Sequence, residues 1–193
     1  MQRNRQYNRE TITRIAILSL LIALSIVAGK YLAIRVGDLF RFSLENTPIL
    51  LAGILFGPLS GVLVGVIADL IGCVLVGYAI NPLVTLGGAM IGLCAGLAYP
   101  RIQMQKSLRL SLTVLIAHVL GSVVVKSIGL SAYYDMPLGI LMLWRTLNYL
   151  VVGILDGVIL HLLMNLSGIA KYVKPDAVST AGHEEHAPEV IKK

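Results

Sequence analysis

Long runs without a charged residue dominate the chain. They are 15–29, 46–68, 70–100 and 110–125. An α-helix needs about 20 mainly apolar residues to cross roughly 30 Å of hydrocarbon, so each run has room for one or two membrane-spanning helices. The pattern therefore predicts a chain built almost entirely of such helices.

Turn-forming residues divide two of these runs. Gly57 and Pro58 interrupt the second run, and residues 77–82 interrupt the third. Because glycine and proline end helices, six helices are predicted. They cover 12–31, 46–57, 59–77, 82–100, 109–128 and 138–166. The second is too short to cross upright, and the predicted fold class is an all-α integral membrane protein with six transmembrane helices.

The composition supports this interpretation. Hydrophobic residues make up 56% of the 193 residues and charged residues only 13%, with a mean hydropathy of +0.82. Soluble domains carry about 25% charged residues, so a soluble globular protein is excluded. The net charge of +6 comes from cations dispersed among apolar runs, and nucleic acid is not an expected partner. Cys73 and Cys94 lie in apolar runs and are assigned no chemistry.

The positions of lysine and arginine predict the orientation, because these residues favour the cytoplasmic side of a membrane. With six helices, one side holds Arg3, Arg5, Arg9, Arg14, Arg101, Lys106, Arg109, Lys171, Lys174, Lys192 and Lys193. Both termini are therefore predicted to be cytoplasmic, in a multi-pass protein of the cell membrane. The predicted organisation is a cytoplasmic N-terminus at 1–11, a six-helix domain at 12–170 and a disordered polar tail at 171–193. A cleavable signal peptide is the alternative for the first apolar run, although the chain that follows is equally apolar.

Several cations fall inside or beside the predicted helices on the outer side. A charged side chain within a bilayer costs at least about 2.5 to 3.5 kcal/mol, so each of these cations is a candidate functional residue. Lys30, Lys126 and Arg145 lie in the outer half, and Arg35 and Arg41 add two cations in the first outer loop. Against Asp38, Glu45 and Asp135 these five cations are a surplus, which predicts an anionic ligand. The alternative is that Lys30, Arg35 and Lys126 reach lipid headgroups while Arg41 pairs with Glu45.

Two acids and two histidines also fall within predicted helices. Asp69 follows two glycines at four-residue spacing, which predicts a close helix contact with Asp69 bonding across it. A proton relay through Asp69 or Asp156 is the alternative. His118 and His161 have no metal-binding spacing and are interpreted as core histidines with satisfied hydrogen bonds.

Aromatic residues gather near the predicted outer ends of the helices. They are Tyr78, Tyr133, Tyr134, Trp144 and Tyr149, with Phe40 and Phe42 in the outer loop. An aromatic belt at the membrane surface is one interpretation. Beside the cations, the same residues also suit a flat ring whose carboxylates are bound by lysine and arginine.

Catalytic motifs are absent from the sequence. It has no GxSxG, no Walker A loop and no nucleophile beside a plausible base. The chain is therefore predicted not to be an enzyme, to need no cofactor or metal, and to be unable to hydrolyse ATP itself.

Several segments carry a resemblance to a known family. Residues 41–49 (RFSLENTPI) and 51–61 (LAGILFGPLSG) resemble the substrate-binding (S) components of energy-coupling-factor (ECF) vitamin transporters. Residues 61–72, 78–86 and 23–27 are similar to the folate-specific branch, and the resemblance covers about residues 11–166.

Two positions depart from that branch. Lys30 stands where an arginine is expected at the end of the first helix, and 146–149 (TLNY) replace the expected basic and proline residues after Arg145. Lysine keeps the charge but loses the bidentate fork, which puts the affinity or the form of the bound pterin in question.

The resemblance implies a subunit that captures a vitamin from outside, joins a membrane scaffold subunit and two ABC ATPases, and topples within the membrane to deliver the vitamin. The implied substrate-binding residues are Lys30, Arg35, Arg41, Tyr78, Asn81, Lys126, Trp144 and Arg145. The family's Ala-x-x-x-Ala scaffold signature is matched most nearly by Ser19 and Ala23, with Ala16 one turn earlier. Packing within the subunit is the alternative role for these small residues.

Folate agrees with the charge pattern, because it joins a planar pterin to a glutamate with two carboxylates. The alternatives are an S component for a different vitamin, a secondary transporter of another small organic anion driven through Asp69 or Asp156, and a membrane enzyme or structural membrane protein. The absence of catalytic motifs argues against the enzyme.

Overall fold

The computed structural model describes residues 2–36 and 40–166, and helices make up nearly all of them. The elements are α1 (Gln2–Ile26), a π-helical segment (Val27–Tyr31), β1 (Ile34–Val36), β2 (Phe40–Phe42), α2 (Asn46–Phe56), α3 (Pro58–Val76), α4 (Pro82–Arg101), α5 (Lys106–Ala117), a second π-helical segment (His118–Val125), α6 (Lys126–Tyr134) and α7 (Leu138–Asn165). The predicted helices agree with these bounds to within a few residues, except that α1 begins at Gln2 and the fifth predicted helix extends to Tyr134. The predicted tail at 171–193 lies outside the described residues.

Five helical stretches are long and apolar enough to cross a membrane. They are Thr11–Tyr31, Pro58–Val76, Pro82–Arg101, Lys106–Tyr133 and Leu138–Asn165. With 11 residues, α2 is shorter than a bilayer crossing requires, as the sequence predicted. Six crossings and cytoplasmic termini stay predictions.

A short hairpin in the loop after α1 departs from the all-α prediction. Strands β1 and β2 pair antiparallel, with Ile34 opposite Phe42 and Arg35 opposite Arg41. In each strand an arginine lies between two apolar residues, which is the two-residue period of a strand. Three residues per strand were too few to distinguish this pattern from a loop.

The short helix α2 lies at the centre of the bundle. All of its residues from Asn46 to Leu55 are buried, and it contacts α1, α3, α4 and α7. Leu50 packs there in the same apolar core as Ile91 of α4 and Leu160 of α7. The helix ends where Gly57 adopts a φ of 91°, a backbone conformation that favours glycine.

Glycines bring α3 and α4 into close contact. A Cβ atom built on Gly61 would lie 2.8 Å from Gly92 Cα, and one built on Gly65 would lie 2.7 Å from the carbonyl carbon of Gly88. The close helix contact predicted from the glycine spacing is therefore present, and it leaves no room for a methyl group at these positions.

The two ends of the bundle differ in chemistry. One end, called the hairpin end here, holds the β1–β2 hairpin and the turn at residues 77–81. At the opposite, basic end, cations bind the last carbonyls of helices: Arg14 Nη2 donates to the Phe56 carbonyl at 2.8 Å and Lys106 Nζ to the Met164 carbonyl at 2.9 Å. Cations at helix C-termini are favourable because the helix dipole is negative there.

Candidate functional site

A cavity of about 500 Å³ opens at the hairpin end of the bundle. Its lining comes from the first π-helical segment, the last two turns of α3, the turn at 77–81, the start of α4 and the end of α6. Three of the predicted binding residues, Lys30, Tyr78 and Asn81, lie together in this lining. The volume is within the range of small-molecule sites, about 300 to 1,000 Å³.

Local sequence fixes the shape of the turn beside the cavity. Gly77 ends α3 in the left-handed conformation, and the Tyr78 N–H donates to the Cys73 carbonyl at 2.9 Å. Asn81 then begins α4 as its N-cap, where its side-chain oxygen accepts from the Leu83 N–H at 3.0 Å. The Asn81 amide also donates to the Gly129 carbonyl at 2.9 Å, so this side chain joins the turn to α6.

Lys30 does not supply unpaired positive charge to this cavity. Its Nζ lies 3.7 Å from Asp69 Oδ1, and the two side chains are 8% and 16% exposed. Asp69 Oδ2 accepts from Thr85 Oγ1 of α4 at 2.6 Å, and Cys73 Sγ lies 3.7 Å from Lys30 Nζ. The predicted bonding of Asp69 across the helix contact is present. The alternative in which Lys30 extends to lipid headgroups does not agree with this contact, because the ammonium group is paired with the partly buried Asp69 carboxylate.

Lys126 lies beneath the cavity, outside its lining. Its Nζ donates to Glu45 Oε1 at 3.2 Å. Both residues line a much smaller cavity of about 20 Å³, together with Ser25, Lys30 and Asp69. The expected surplus of cations is therefore smaller by one than predicted, because Asp69, the partner of Lys30, was not among the acids counted, whereas Glu45, the partner of Lys126, was.

Arg145 and Trp144 are not in the lining of the 500 Å³ cavity. Arg145 Nε donates to the Ser122 carbonyl of the second π-helical segment at 3.0 Å, and its guanidinium lies 5.3 Å from the ring centre of Tyr149. Trp144 is half-buried one position earlier on α7. Their role in binding a ligand stays a prediction.

A second buried polar cluster lies deeper in the bundle. His118 Nε2 lies 2.8 Å from Asp156 Oδ2, and His118 Nδ1 lies 3.3 Å from Ser122 Oγ. Asp156 is fully buried and also accepts from Thr47 Oγ1 at the start of α2. The interpretation of His118 as a core histidine with satisfied hydrogen bonds agrees with these contacts.

The remaining predicted residues lie on two surfaces. Arg35 and Arg41 occupy paired positions of the hairpin. Ala16, Ser19 and Ala23 are exposed along α1, so they are available for contact with another molecule.

Seven residues of the cavity lining were absent from the predicted binding set: Asp69, Cys73, Gly77, Ala79, Val84, Leu130 and Tyr133. Asp69 was assigned to a helix contact, Cys73 was assigned no chemistry, and Tyr133 was noted only among the aromatic residues. The place of Asp69 and Cys73 in the lining follows from the four-residue spacing of Asp69, Cys73 and Gly77, which aligns them along one face of α3. Within residues 2–36 and 40–166, no cluster of three or more His, Cys, Asp or Glu is arranged to hold a metal ion.

Comparison with known proteins identifies the family. The family model described as "ECF transporter, substrate-specific component" matches residues 13–168. Among solved structures, FolT bound with folic acid aligns with a TM-score of 0.67 at 24% identity, covering 83% of this chain and 97% of that one. The S component for biotin from an ECF-type ABC transporter aligns with a TM-score of 0.65 at 18% identity, covering 86% and 98%.

The S component of a bacterial ECF transporter aligns with a TM-score of 0.63 at 18% identity, covering 86% of this chain and 99% of that one. No curated protein matches the chain. At these identities the solved structures show a shared fold, whereas the family model covers well over half of the 193 residues. The chain therefore belongs to the family of substrate-specific components of ECF transporters, which are helical membrane proteins.

Proposed function

We propose that this chain is the vitamin-binding subunit of an ECF-type importer and that its vitamin is folate. The observation that carries the proposal is the 500 Å³ cavity at the hairpin end, which brings Lys30, Tyr78 and Asn81 together. A pocket that holds aromatic rings beside a few charged groups suits a flat, polar organic ligand.

The chemistry of the lining supports a pterin compound. Tyr78 and Tyr133 supply aromatic surface for a planar ring. Lys30 is a donor and Asp69 an acceptor on the same wall, so this wall offers both kinds of hydrogen-bonding group to a heterocycle. Arg35 and Arg41, at paired positions of the hairpin, are proposed to supply positive charge for the two glutamate carboxylates.

The solved relatives support a vitamin as the ligand. FolT has been crystallised with folic acid, and the neighbouring biotin S component shares the same fold. The preference for folate over biotin in this chain rests on the aromatic and charged groups of the cavity lining.

Transport is proposed to need partner proteins. The chain has no Walker A loop, so energy is proposed to come from two ABC ATPases through a membrane scaffold subunit. The scaffold is proposed to dock on α1 at Ala16, Ser19 and Ala23, because small exposed residues allow a second helix to approach closely. The protein is proposed to lie in the cell membrane with both termini in the cytoplasm.

Calorimetry on the purified subunit tests the proposal without ATP. Folic acid, biotin, riboflavin and thiamine are titrated in turn, and only folic acid is expected to bind. Lys30→Met should weaken folate binding, while Lys106→Met, a matched change at the basic end, should leave it unchanged. Because Lys30→Met leaves Asp69 without its cation, thermal unfolding of Lys30→Met and wild type in the same detergent checks that lost binding is not lost folding. A clear response to another vitamin would reject folate but retain the family assignment.

A further inference from the structure

A groove of about 620 Å³ runs between α5 and α7, apart from the proposed vitamin site. Its α7 side extends from Tyr149 to Leu162, which is about 20 Å along a helix. One leaflet of a bilayer contributes about 15 Å of hydrocarbon. The groove therefore matches the length of one acyl chain within a single leaflet.

Two glycines of α7 leave space for the groove, because they have no side chains. Gly153 and Gly157 line it from α7, and a Cβ atom built on Gly157 would meet nothing within 4 Å. Leu110 and Val114 of α5 are almost completely buried and form its floor, while Leu150 and Ile154 stand more than 60% exposed beside it. The result is an apolar channel that is open along the face of the bundle.

The groove ends in polar groups near the basic end. Ser107 and His161 line it there, and His161 Nδ1 is buried without a hydrogen-bond partner among the described residues. His161 Nε2 lies 3.2 Å from the Asn165 amide, which joins this end of the groove to the last turn of α7.

The charge around this mouth is positive. Arg101, Lys106 and Arg109 lie at the basic ends of α4 and α5, and neither 70–134 nor 157–175 contains an aspartate or glutamate. Lys106 donates to the Met164 carbonyl and to the Asn165 side-chain oxygen, which are neutral acceptors, so these contacts leave its positive charge uncompensated. Basic pockets between membrane helices favour anionic headgroups.

We propose that the groove binds one anionic phospholipid, with an acyl chain between α5 and α7 and its phosphate near Lys106. This site is independent of the proposed vitamin site, because no residue lines both the groove and the 500 Å³ cavity.

Native mass spectrometry of the purified full chain tests the proposal. The protein is released from nanodiscs that contain equal amounts of dioleoyl phosphatidylglycerol and dioleoyl phosphatidylcholine. Wild type should retain one phosphatidylglycerol. Its preference for phosphatidylglycerol over phosphatidylcholine should be about fivefold for each basic residue that contacts the headgroup. Equal retention of the two lipids would overturn the proposal.

Two variants at open glycines of α7 provide the matched comparison. Gly157→Phe fills the groove, whereas Gly139→Phe adds the same side chain where a Cβ atom also meets nothing within 4 Å, outside the groove. Gly157→Phe should retain at least about fivefold less phosphatidylglycerol than wild type, and Gly139→Phe should retain as much as wild type. Ser111→Phe fills the groove from α5 and provides a second test if Gly157→Phe does not fold. Unchanged retention in the groove variants rejects the site, and a wild-type dimer that Gly157→Phe dissociates would assign the groove to a second copy.

Discussion

The ammonium group of Lys126 lies 3.2 Å from the carboxylate of Glu45, although 81 residues separate them in the sequence. The pair joins the start of α6 to the residue before α2, and the two side chains are 8% and 22% exposed. The ion pair therefore holds the beginning of the buried helix α2 against the beginning of α6.

Removing one member of this pair is expected to be more damaging than removing both. Lys126→Met removes the ammonium group that lies 3.2 Å from the Glu45 carboxylate and should cost roughly 3 kcal/mol of unfolding free energy, because one charge of a largely buried pair is lost. Lys126→Met/Glu45→Met removes both charges and should recover most of that loss, because apolar replacement of a buried ion pair is often neutral. Thermal unfolding of the three proteins in one detergent measures the difference. Equal losses in the single and double variants would contradict a direct ion pair.

The contact between α3 and α4 should tolerate no added methyl group. Gly61→Ala places a Cβ atom 2.8 Å from Gly92 Cα, so the helices must separate, and we expect a loss of about 1 to 3 kcal/mol. Gly139→Ala is the matched control, because nothing lies within 4 Å of the added carbon. It should stabilise α7 by about 0.5 to 1 kcal/mol, since alanine favours helices over glycine. Similar melting temperatures for the two variants would show that the close contact is not maintained in solution.

The helices could be predicted from sequence because they depend on local signals. Uncharged runs, Gly57-Pro58 and the turn residues at 77–82 define their bounds within a few residues, except at the start of α1 and the end of the fifth predicted helix. The glycines before Asp69 also predicted the α3–α4 contact, since four-residue spacing places small residues on one helix face.

The partners of the membrane cations could not be predicted in the same way. Lys126 and Glu45 are brought together only when α6 packs beside the start of α2, and Lys30 meets Asp69 only across α3. Counting cations on the outer side therefore overestimated the positive charge available to a ligand. The π-helical segment at His118–Val125 was not predicted either, and the Arg145 contact with its Ser122 carbonyl joins residues 23 apart in the sequence.

Replacing Arg145 distinguishes a ligand-binding role of this residue from a structural role. The sequence predicts that Arg145→Ala weakens folate binding, by roughly 2 to 5 kcal/mol if a buried charged pair is lost. The contact with the Ser122 carbonyl instead predicts a loss of about 1.5 to 3 kcal/mol in stability, with folate affinity unchanged in the folded fraction. Thermal unfolding and folate calorimetry on the same preparation measure both quantities. Unchanged affinity removes Arg145 from the proposed vitamin site, whereas reduced affinity at unchanged stability would place it there.

The buried Asp156 distinguishes an ATP-driven importer from a proton-coupled transporter. Asp156 has no exposed surface and is held by Thr47 and His118, so its contacts already satisfy the carboxylate within the bundle. A carboxylate that carries protons must exchange them with water during each cycle. We therefore expect the subunit alone in liposomes to bind folate but not to accumulate it, with or without a proton gradient. Asp156→Asn keeps an oxygen that accepts from Thr47 and should retain folate binding while lowering the melting temperature. Gradient-dependent uptake by the subunit alone, lost in Asp156→Asn but retained in Gly139→Ala, would instead support the secondary transporter.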